Sequence, residues 1–270
     1  MERRKGTAVA VAVVVLTTLA GAGCSGRGVA AEDTYPRDHQ AEVARAADVL
    51  VRAGTSKART AIEMVSGSTR LTIRGVGGFD YQKRVGRLTV TLPDGQQKPV
   101  TEVFTPETLY MKNRGAGVPD GKWVRVDTTT LPDGNLVTNG ATDPMSAAEL
   151  LRGARKVAYV GEKKLHGEAV RHYRGITDLT VAAKEASPLS RMQLVAAAKG
   201  FSKKAVPFDA FLDGQGRLRK VRHEFVFRNE PGDGVEIAST VALYAFGAPV
   251  KVVMPEPGDI YAGKIATPDQ

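Results

Sequence analysis

The chain is poor in the residues that build covalent or membrane-spanning frameworks. Its 270 residues include one cysteine, Cys24, and one tryptophan, and aromatic residues make up only 6% of it. A single cysteine excludes an intramolecular disulfide. The N-terminal apolar run, residues 8–20, has about 13 residues, whereas a helix needs about 20 to cross a hydrocarbon core. Any folded domain must therefore rely on its own hydrophobic core.

Sequence motifs of common enzymes are also absent. The four histidines (His39, His166, His172 and His223) are far apart and show no H-E-x-x-H spacing, and no serine lies in a G-x-S-x-G turn. The glycine cluster at 75–78 lacks the later residues of a phosphate-binding loop, so we interpret it as a bulge or bend in a strand. We predict a protein that is not an enzyme and needs no cofactor or metal.

The N-terminus has the features of an export signal. Three basic residues (Arg3, Arg4 and Lys5) precede the apolar run, and small residues lead from it into Cys24. This arrangement resembles the lipobox of bacterial lipoproteins, although Gly21 stands where leucine is typical. The resemblance implies that Cys24 is lipidated with acyl chains such as palmitate by lipoprotein-processing enzymes. The alternatives are a plain signal peptide with a chance cysteine and an uncleaved membrane anchor.

These features predict the organisation of the chain. Residues 1–23 form the signal peptide, residues 24–39 a flexible tether, residues 40–256 a single domain and residues 257–270 a C-terminal tail. A tether of this length spans about 20 Å, so the domain would stay close to the outer face of the plasma membrane. Cleavage would lower the formal charge from +9 to +7, because three basic and one acidic residue are lost. The scattered basic residues and the export signal argue against nucleic acid as a partner.

Most of the domain has the two-residue periodicity of half-buried strands, separated by Asp-Gly turns at 94–95, 120–121, 133–134, 213–214 and 233–234. Helical periodicity predicts three short helices, at residues 40–53, 144–153 and 188–199. Residues 169–183 are predicted as one strand. The predicted fold class is therefore α+β, with a large antiparallel sheet curved into a half-barrel and about three helices on its concave side.

A series of landmarks resembles the mycobacterial lipid-carrier lipoproteins of the LppX and LprG type, which have a LolA/LolB-like half-barrel. The landmarks are Trp123 to Asp127, Asp143-Pro144, His172 to Gly175, Phe211 to Lys220 and Tyr244 to Val250. The likeness covers about residues 40–256. It implies a cavity that holds the acyl chains of lipids or lipoglycans and a role in moving lipid within the cell envelope.

The helix stripes are the candidate lining of such a cavity, and methionine suits it because its side chain adapts to varied ligands. The candidates are Val43, Leu50, Met145, Leu150, Leu151, Leu189, Met192 and Val195. The alternative is that these residues pack a closed core. A second function also fits the fold, namely an envelope sensor or scaffold that binds a partner protein and transports no lipid.

Overall fold

The computed structural model describes residues 38–93, 98–138, 141–227 and 235–263. Within these residues the chain forms eleven strands, five α-helices and two 3₁₀ turns. The strands are β1 (Thr55–Ser66), β2 (Thr69–Asp80), β3 (Val85–Thr91), β4 (Val100–Thr105), β5 (Thr108–Lys112), β6 (Trp123–Asp127), β7 (Ala154–Leu165), β8 (Glu168–Asp178), β9 (Ala205–Asp213), β10 (Leu218–Phe227) and β11 (Val235–Tyr244). The helices are α1 (His39–Ala44), α2 (Ala46–Ala53), α3 (Pro144–Leu150), α4 (Leu179–Glu185) and α5 (Pro188–Gly200).

All eleven strands belong to one antiparallel sheet in the order β6-β5-β4-β3-β2-β1-β11-β10-β9-β8-β7. The sheet consists of two meanders, β1 to β6 and β7 to β11, that join where the first strand pairs with the last. The sheet is not closed, since β6 and β7 lie at its two edges. The predicted fold class, an α+β protein with a large curved antiparallel sheet, is confirmed.

The helices cover one face of the sheet, which we call the inner face. Strand alternation decides which residues point there. In β1, Ser56, Ala58, Thr60 and Ile62 are buried, and the residues between them include charged ones. The same alternation continues across neighbouring strands, so the helices and the inner face enclose one continuous core.

The connection between β6 and β7 carries α3 into this core. These strands are consecutive in the chain but lie at opposite edges of the sheet, so residues 128–153 must cross the inner face. All seven residues of α3 are buried. Asp143 caps the helix by accepting a hydrogen bond from the backbone amide of Met145 (2.9 Å), and Pro144 occupies the first turn, where no amide donor is needed.

One helix assignment and one strand assignment from the sequence are wrong. Residues 40–53 form two helices rather than one, because the chain turns at Arg45 between α1 and α2. The predicted strand at 169–183 ends at Asp178 and continues as α4. The Asp178 carboxylate accepts hydrogen bonds from the amides of Thr180 (2.9 Å) and Val181 (3.1 Å) and so starts the helix.

The C-terminal segment crosses the opposite, outer face of the sheet. The Thr55 hydroxyl donates to the carbonyl of Ala248 (2.7 Å), close to the end of β11. Further along, Ile260 forms a parallel bridge with Trp123, and the amide of Tyr261 donates to the Trp123 carbonyl (2.8 Å). The segment therefore reaches the β6 edge, and the first part of the predicted tail is attached to the sheet there.

Candidate functional site

The candidate site is a narrow cleft between α5, the start of α3 and the ends of β2 and β4. Its inner wall is aromatic: the rings of Phe79 and Phe104 lie 5.5 Å apart, and Phe79 also stacks on Tyr81 at 6.5 Å. Met145 of α3 and Leu189 of α5 complete the apolar lining. The cleft holds about 20 Å³, room for about one water molecule. In this structure the cleft is therefore closed.

A polar frame holds the helices around the cleft, and Glu149 of α3 is its centre. The side chain of Glu149 is fully buried. Its carboxylate accepts from Arg84 (3.5 Å), from Nε of Arg152 (2.7 Å) and from the amide of Ser187 (3.0 Å). Arg152 also pairs with Asp48 of α2 (2.6 Å). One carboxylate thus connects α2, α3, the turn after β2 and the residue preceding α5.

The Arg84 guanidinium extends this frame to the cleft, because it donates to the hydroxyls of Ser187 (3.0 Å) and Ser190 (3.2 Å). Asp143 lines the cleft from the other side, and burial raises its pKa. Helix α5 is further held by Gln193, whose amide donates to the Gly134 carbonyl (2.6 Å) and whose carbonyl accepts from the Ser146 hydroxyl (3.1 Å). The contacts of α5 at the cleft are therefore largely polar.

The structure brings together only two of the predicted lining residues, Met145 and Leu189, in this cleft. Val43, Leu50, Leu150 and Leu151 are each 0% exposed in the common core, and Met145 is 4% exposed. The remaining three lie on α5 and differ from these. Leu189 and Met192 are 51% and 56% exposed, and Val195 is partly buried. Cys24 lies outside the described residues.

Sequence reasoning missed an unpaired acid on the inner face. Glu102 of β4 lies between Val100 and Phe104 in the alternating pattern and is 0% exposed, and neither carboxylate oxygen has a hydrogen-bond partner within the part of the chain that the structure describes. Burial raises its pKa to about 8. The sequence contained a signal for this buried acid. The two-residue alternation of Val100-Thr-Glu-Val-Phe104 places Glu102 on the same side of the strand as Val100 and Phe104, which is the apolar side. Such a group is costly unless it is neutral or finds a partner.

The histidines do not form a catalytic arrangement. His223 is buried on the inner face, its Nε2 has no hydrogen-bond partner among the residues described, and burial lowers its pKa to about 3. His172 stacks on Phe211 on the outer face (4.3 Å), and its Nε2 lies 2.5 Å from the Asp209 carboxylate. Among the described residues, no group of three or more His, Cys, Asp or Glu side chains has the arrangement of a metal site. In the same part of the chain, the helices are too short or too polar to span a bilayer.

Comparisons with known proteins give matches at the level of structure alone. No family model matches the sequence, and no curated protein matches it significantly. The lipoprotein LppX of Mycobacterium tuberculosis matches with a TM-score of 0.46 and 14% identity, over 80% of this chain and 98% of that one. LprF of Mycobacterium bovis matches with a TM-score of 0.41 and 14% identity, over 81% and 96% of the two chains. The Pseudomonas aeruginosa MucA/MucB complex gives a TM-score of 0.33 and 15% identity, over 85% and 64%. The chain is thus similar to solved structures of LppX and LprF, lipoproteins of the type that its sequence landmarks resemble.

Proposed function

We propose that this protein is a non-enzymatic envelope lipoprotein that binds the acyl chains of a lipid or lipoglycan and carries them within the cell envelope. One observation carries the proposal. The cleft leads from Leu189, which is half exposed, to the aromatic wall formed by Phe79 and Phe104 in the core. The cleft is closed and partly polar in this structure, but its apolar side chains form a continuous line from the surface to the space between helices and sheet, which an acyl chain would follow once the cleft opens.

Binding requires the cleft to open, and α5 is the element whose movement opens it. The buried face of α5 consists of Ser190, Gln193, Leu194 and Ala197, so only two of these four side chains are apolar. Moving α5 outward would break the polar contacts of Ser190 and Gln193 and would expose Leu194 and Ala197, which belong to the common core. Relative to water, burial of a 16-carbon acyl chain is worth about 12 kcal/mol, so a chain that leaves a bilayer for the opened cleft exchanges one apolar environment for another at nearly balanced free energy. The cost of opening is then mainly that of the hydrogen bonds of α5 that break, each of which contributes about 1 kcal/mol net.

A second function is favoured by the packing of the core. Val43, Leu50, Leu150 and Leu151 are completely buried, and the cleft has room for about one water molecule. A protein that keeps this packing would serve as an envelope sensor or scaffold that binds a partner protein. The two functions differ in whether lipid is found between the helices and the sheet.

Export and lipidation belong to the same proposal. The lipobox-like sequence around Cys24 would place the protein on the outer face of the plasma membrane after processing. Replacing Cys24 by Ser should release the protein from membranes without unfolding it, as measured by fractionation and by circular dichroism. A variant that stays on the membrane as firmly as the wild type would instead indicate that residues 7–20 act as an uncleaved anchor.

A lipid-transfer assay tests the carrier function. Donor vesicles with a fluorescent acyl lipid are mixed with acceptor vesicles, and the protein should accelerate transfer. Met145→Trp enlarges a side chain of the cleft lining and should slow the transfer, at a cost in stability of about 1–3 kcal/mol. Val76→Trp is the matched control, because Val76 lies on the outer face and is 51% exposed. Equal transfer by both variants would exclude the cleft as the route.

A further inference from the structure

Helix α5 exposes its most apolar side. The side chains that point into the protein are Ser190, Gln193, Leu194 and Ala197. The solvent-facing side carries Leu189 and Met192, both more than half exposed, with Val195 partly buried beside them. This is the reverse of the usual amphipathic helix, in which the apolar stripe faces the core. The stripe that the sequence predicts as a cavity lining has Leu189 and Met192 on the solvent-facing side of α5.

The reversal is explained by what lies beneath the helix. Gln193 bonds to Ser146 of α3 and to the carbonyl of Gly134, and Ser190 bonds to Arg84. These buried polar groups need partners, and α5 supplies them. The inward side of the helix therefore combines polar contacts of Ser190 and Gln193 with the buried Leu194 and Ala197, and Leu189 and Met192 are left on the surface. An exposed stripe of this kind marks an interaction surface rather than a folding requirement.

Basic residues border the stripe. A shallow groove of about 470 Å³ lies between α4 and α5. Three basic residues line it, Lys184 of α4 and Arg191 and Lys199 of α5, together with Val195 and Ala198. Among the described residues, none of these three cations forms an ion pair. Arg191 donates to the Ala186 carbonyl (3.1 Å), but no carboxylate of the described residues pairs with any of the three cations. Three positive charges around exposed Leu and Met side chains match a surface that offers negative charge and hydrocarbon together.

We infer that the outer side of α5, with the adjoining end of α4, is a membrane-docking surface for anionic lipid. Leu189, Met192 and Val195 enter the boundary between headgroups and acyl chains, while Lys184, Arg191 and Lys199 contact anionic headgroups. An interfacial helix combines an apolar side with basic residues in this way, and each basic residue near an anionic leaflet contributes about 1 kcal/mol. The predicted lipid anchor holds the protein near a membrane, whereas this surface sets which side of the domain faces it.

Docking has a consequence that rests on the proposed function. Leu189 belongs both to the exposed stripe and to the cleft lining. A membrane in contact with α5 therefore lies at the mouth of the cleft. An acyl chain would then pass from the membrane into the cleft without crossing water.

The test uses tryptophan as a depth probe in the full chain reconstituted into vesicles. The chain has one tryptophan, so Trp123→Phe provides a background in which Met192→Trp is the sole emitter. We expect brominated lipid to quench this variant roughly twofold or more in vesicles containing anionic phosphatidylglycerol, with a blue shift in emission. Val76→Trp in the same background is the matched control, since it carries the same N-terminus and similar exposure but lies on the outer face of the sheet.

Charge reversal separates docking from lipid loading. A triple variant should abolish the quenching of the Met192→Trp chain and leave the amount of co-purified lipid unchanged. It combines Lys184→Glu, Arg191→Glu and Lys199→Glu. The same reversal at exposed Arg87, Lys163 and Lys164 should leave the quenching intact. Quenching no greater at position 192 than at position 76 would overturn the inference. It would also be overturned if the emission of the Met192→Trp variant shifted to the blue only when an envelope protein was added, and not with vesicles. Absence of co-purified lipid from a protein that still docks would overturn the proposed function alone.

Discussion

At the scale of single residues, Glu102 is the most informative side chain, because neither buried carboxylate oxygen has a hydrogen-bond partner among the described residues. Burial raises its pKa to about 8, against a weaker attraction from the charge of Arg114. The acid is therefore mainly neutral at pH 7, yet even a neutral carboxyl without hydrogen bonds is unfavourable in an apolar core. The residue reduces stability in the described conformation.

Replacing this acid should stabilise the protein. Glu102→Leu removes the unpaired polar group at similar volume and should raise the free energy of unfolding by about 1–3 kcal/mol at pH 7.5, measured by urea denaturation. Glu162→Leu is the control, because Glu162 is exposed on β7 and should change stability by less than about 0.5 kcal/mol. A Glu102→Leu protein that is less stable than the wild type would show that the acid has a partner in solution.

Glu149 is the opposite case, a buried acid with three donors. Glu149→Gln keeps the volume but removes the charge that faces Arg84 and Arg152, so we expect a loss of about 3 kcal/mol, measured by thermal and urea denaturation. Asp120→Asn breaks the exposed ion pair with Lys98 (2.8 Å) and should produce no measurable change. Equal stability of the two variants would remove Glu149 as the centre of the frame.

At the scale of elements, the glycines of β2 show how closely two strands approach. The sequence left a bulge or a bend open for residues 75–78, and the structure excludes the bulge, because β2 pairs in unbroken register with β1 and β3. Glycine is needed at position 77 because β2 and β3 lie close together there. A Cβ on Gly77 would lie 1.8 Å from the carbonyl oxygen of Arg87.

Gly77→Ala should therefore separate β2 from β3 locally and lower stability by about 3 kcal/mol. Gly214→Ala is the matched control, since a Cβ there meets nothing within 4 Å, and it should be close to neutral. Chemical denaturation measures both. A Gly77→Ala protein as stable as the control would mean that the strand spacing adjusts at no cost.

The secondary structure was predictable where a local signal decides it. Alternation and Asp-Gly turns located most strands, and the cap at Asp143 located α3. The sequence missed α4 although Asp178 offered a cap, because Leu179 to Ala183 also fits an apolar strand. The orientation of α5 could not be predicted from periodicity, because periodicity identifies an apolar stripe but does not show whether that stripe faces the core or the solvent. That choice depends on the buried partners of Ser190 and Gln193, which come from distant parts of the chain.

At the scale of the whole molecule, two buried groups with opposite shifts shape the dependence of stability on pH. The pKa of Glu102 rises from 4.5 to about 8 on folding, so the folded state binds the extra proton and stability falls as pH rises between these values. The pKa of His223 falls from 6.5 to about 3, so the unfolded state binds the extra proton and stability falls as pH drops through this range.

The two effects oppose each other between pH 4.5 and 6.5, and Asp143, whose pKa burial also raises, acts in the same direction as Glu102. We predict only a weak net dependence of stability on pH there and a decline toward pH 8 of up to about 1.4 kcal/mol per pH unit, measured by urea denaturation across this range. In Glu102→Leu the decline above pH 6.5 should disappear. A wild-type profile that rises from pH 6.5 to 8 would show that Glu102 is ionised in the folded protein.

The large-scale architecture was predictable as a class, but the strand order that joins its two meanders was not. Short turns between alternating strands predict an antiparallel meander, whereas the pairing of β1 with β11 joins the two ends of the domain and has no local signal. Whether the space between helices and sheet is open or filled depends on how the side chains of distant segments pack together, and periodicity carries no information about that.

The most direct measurement of the central claim is native mass spectrometry of the chain from Ser25 onward, purified without detergent from a host with a comparable envelope, followed by organic extraction. The carrier account predicts a fraction of molecules with the mass of one non-covalently bound acyl lipid, and the same lipid in the extract. A protein found only at its own mass, with no acyl lipid extracted, would contradict the account and favour the sensor or scaffold function.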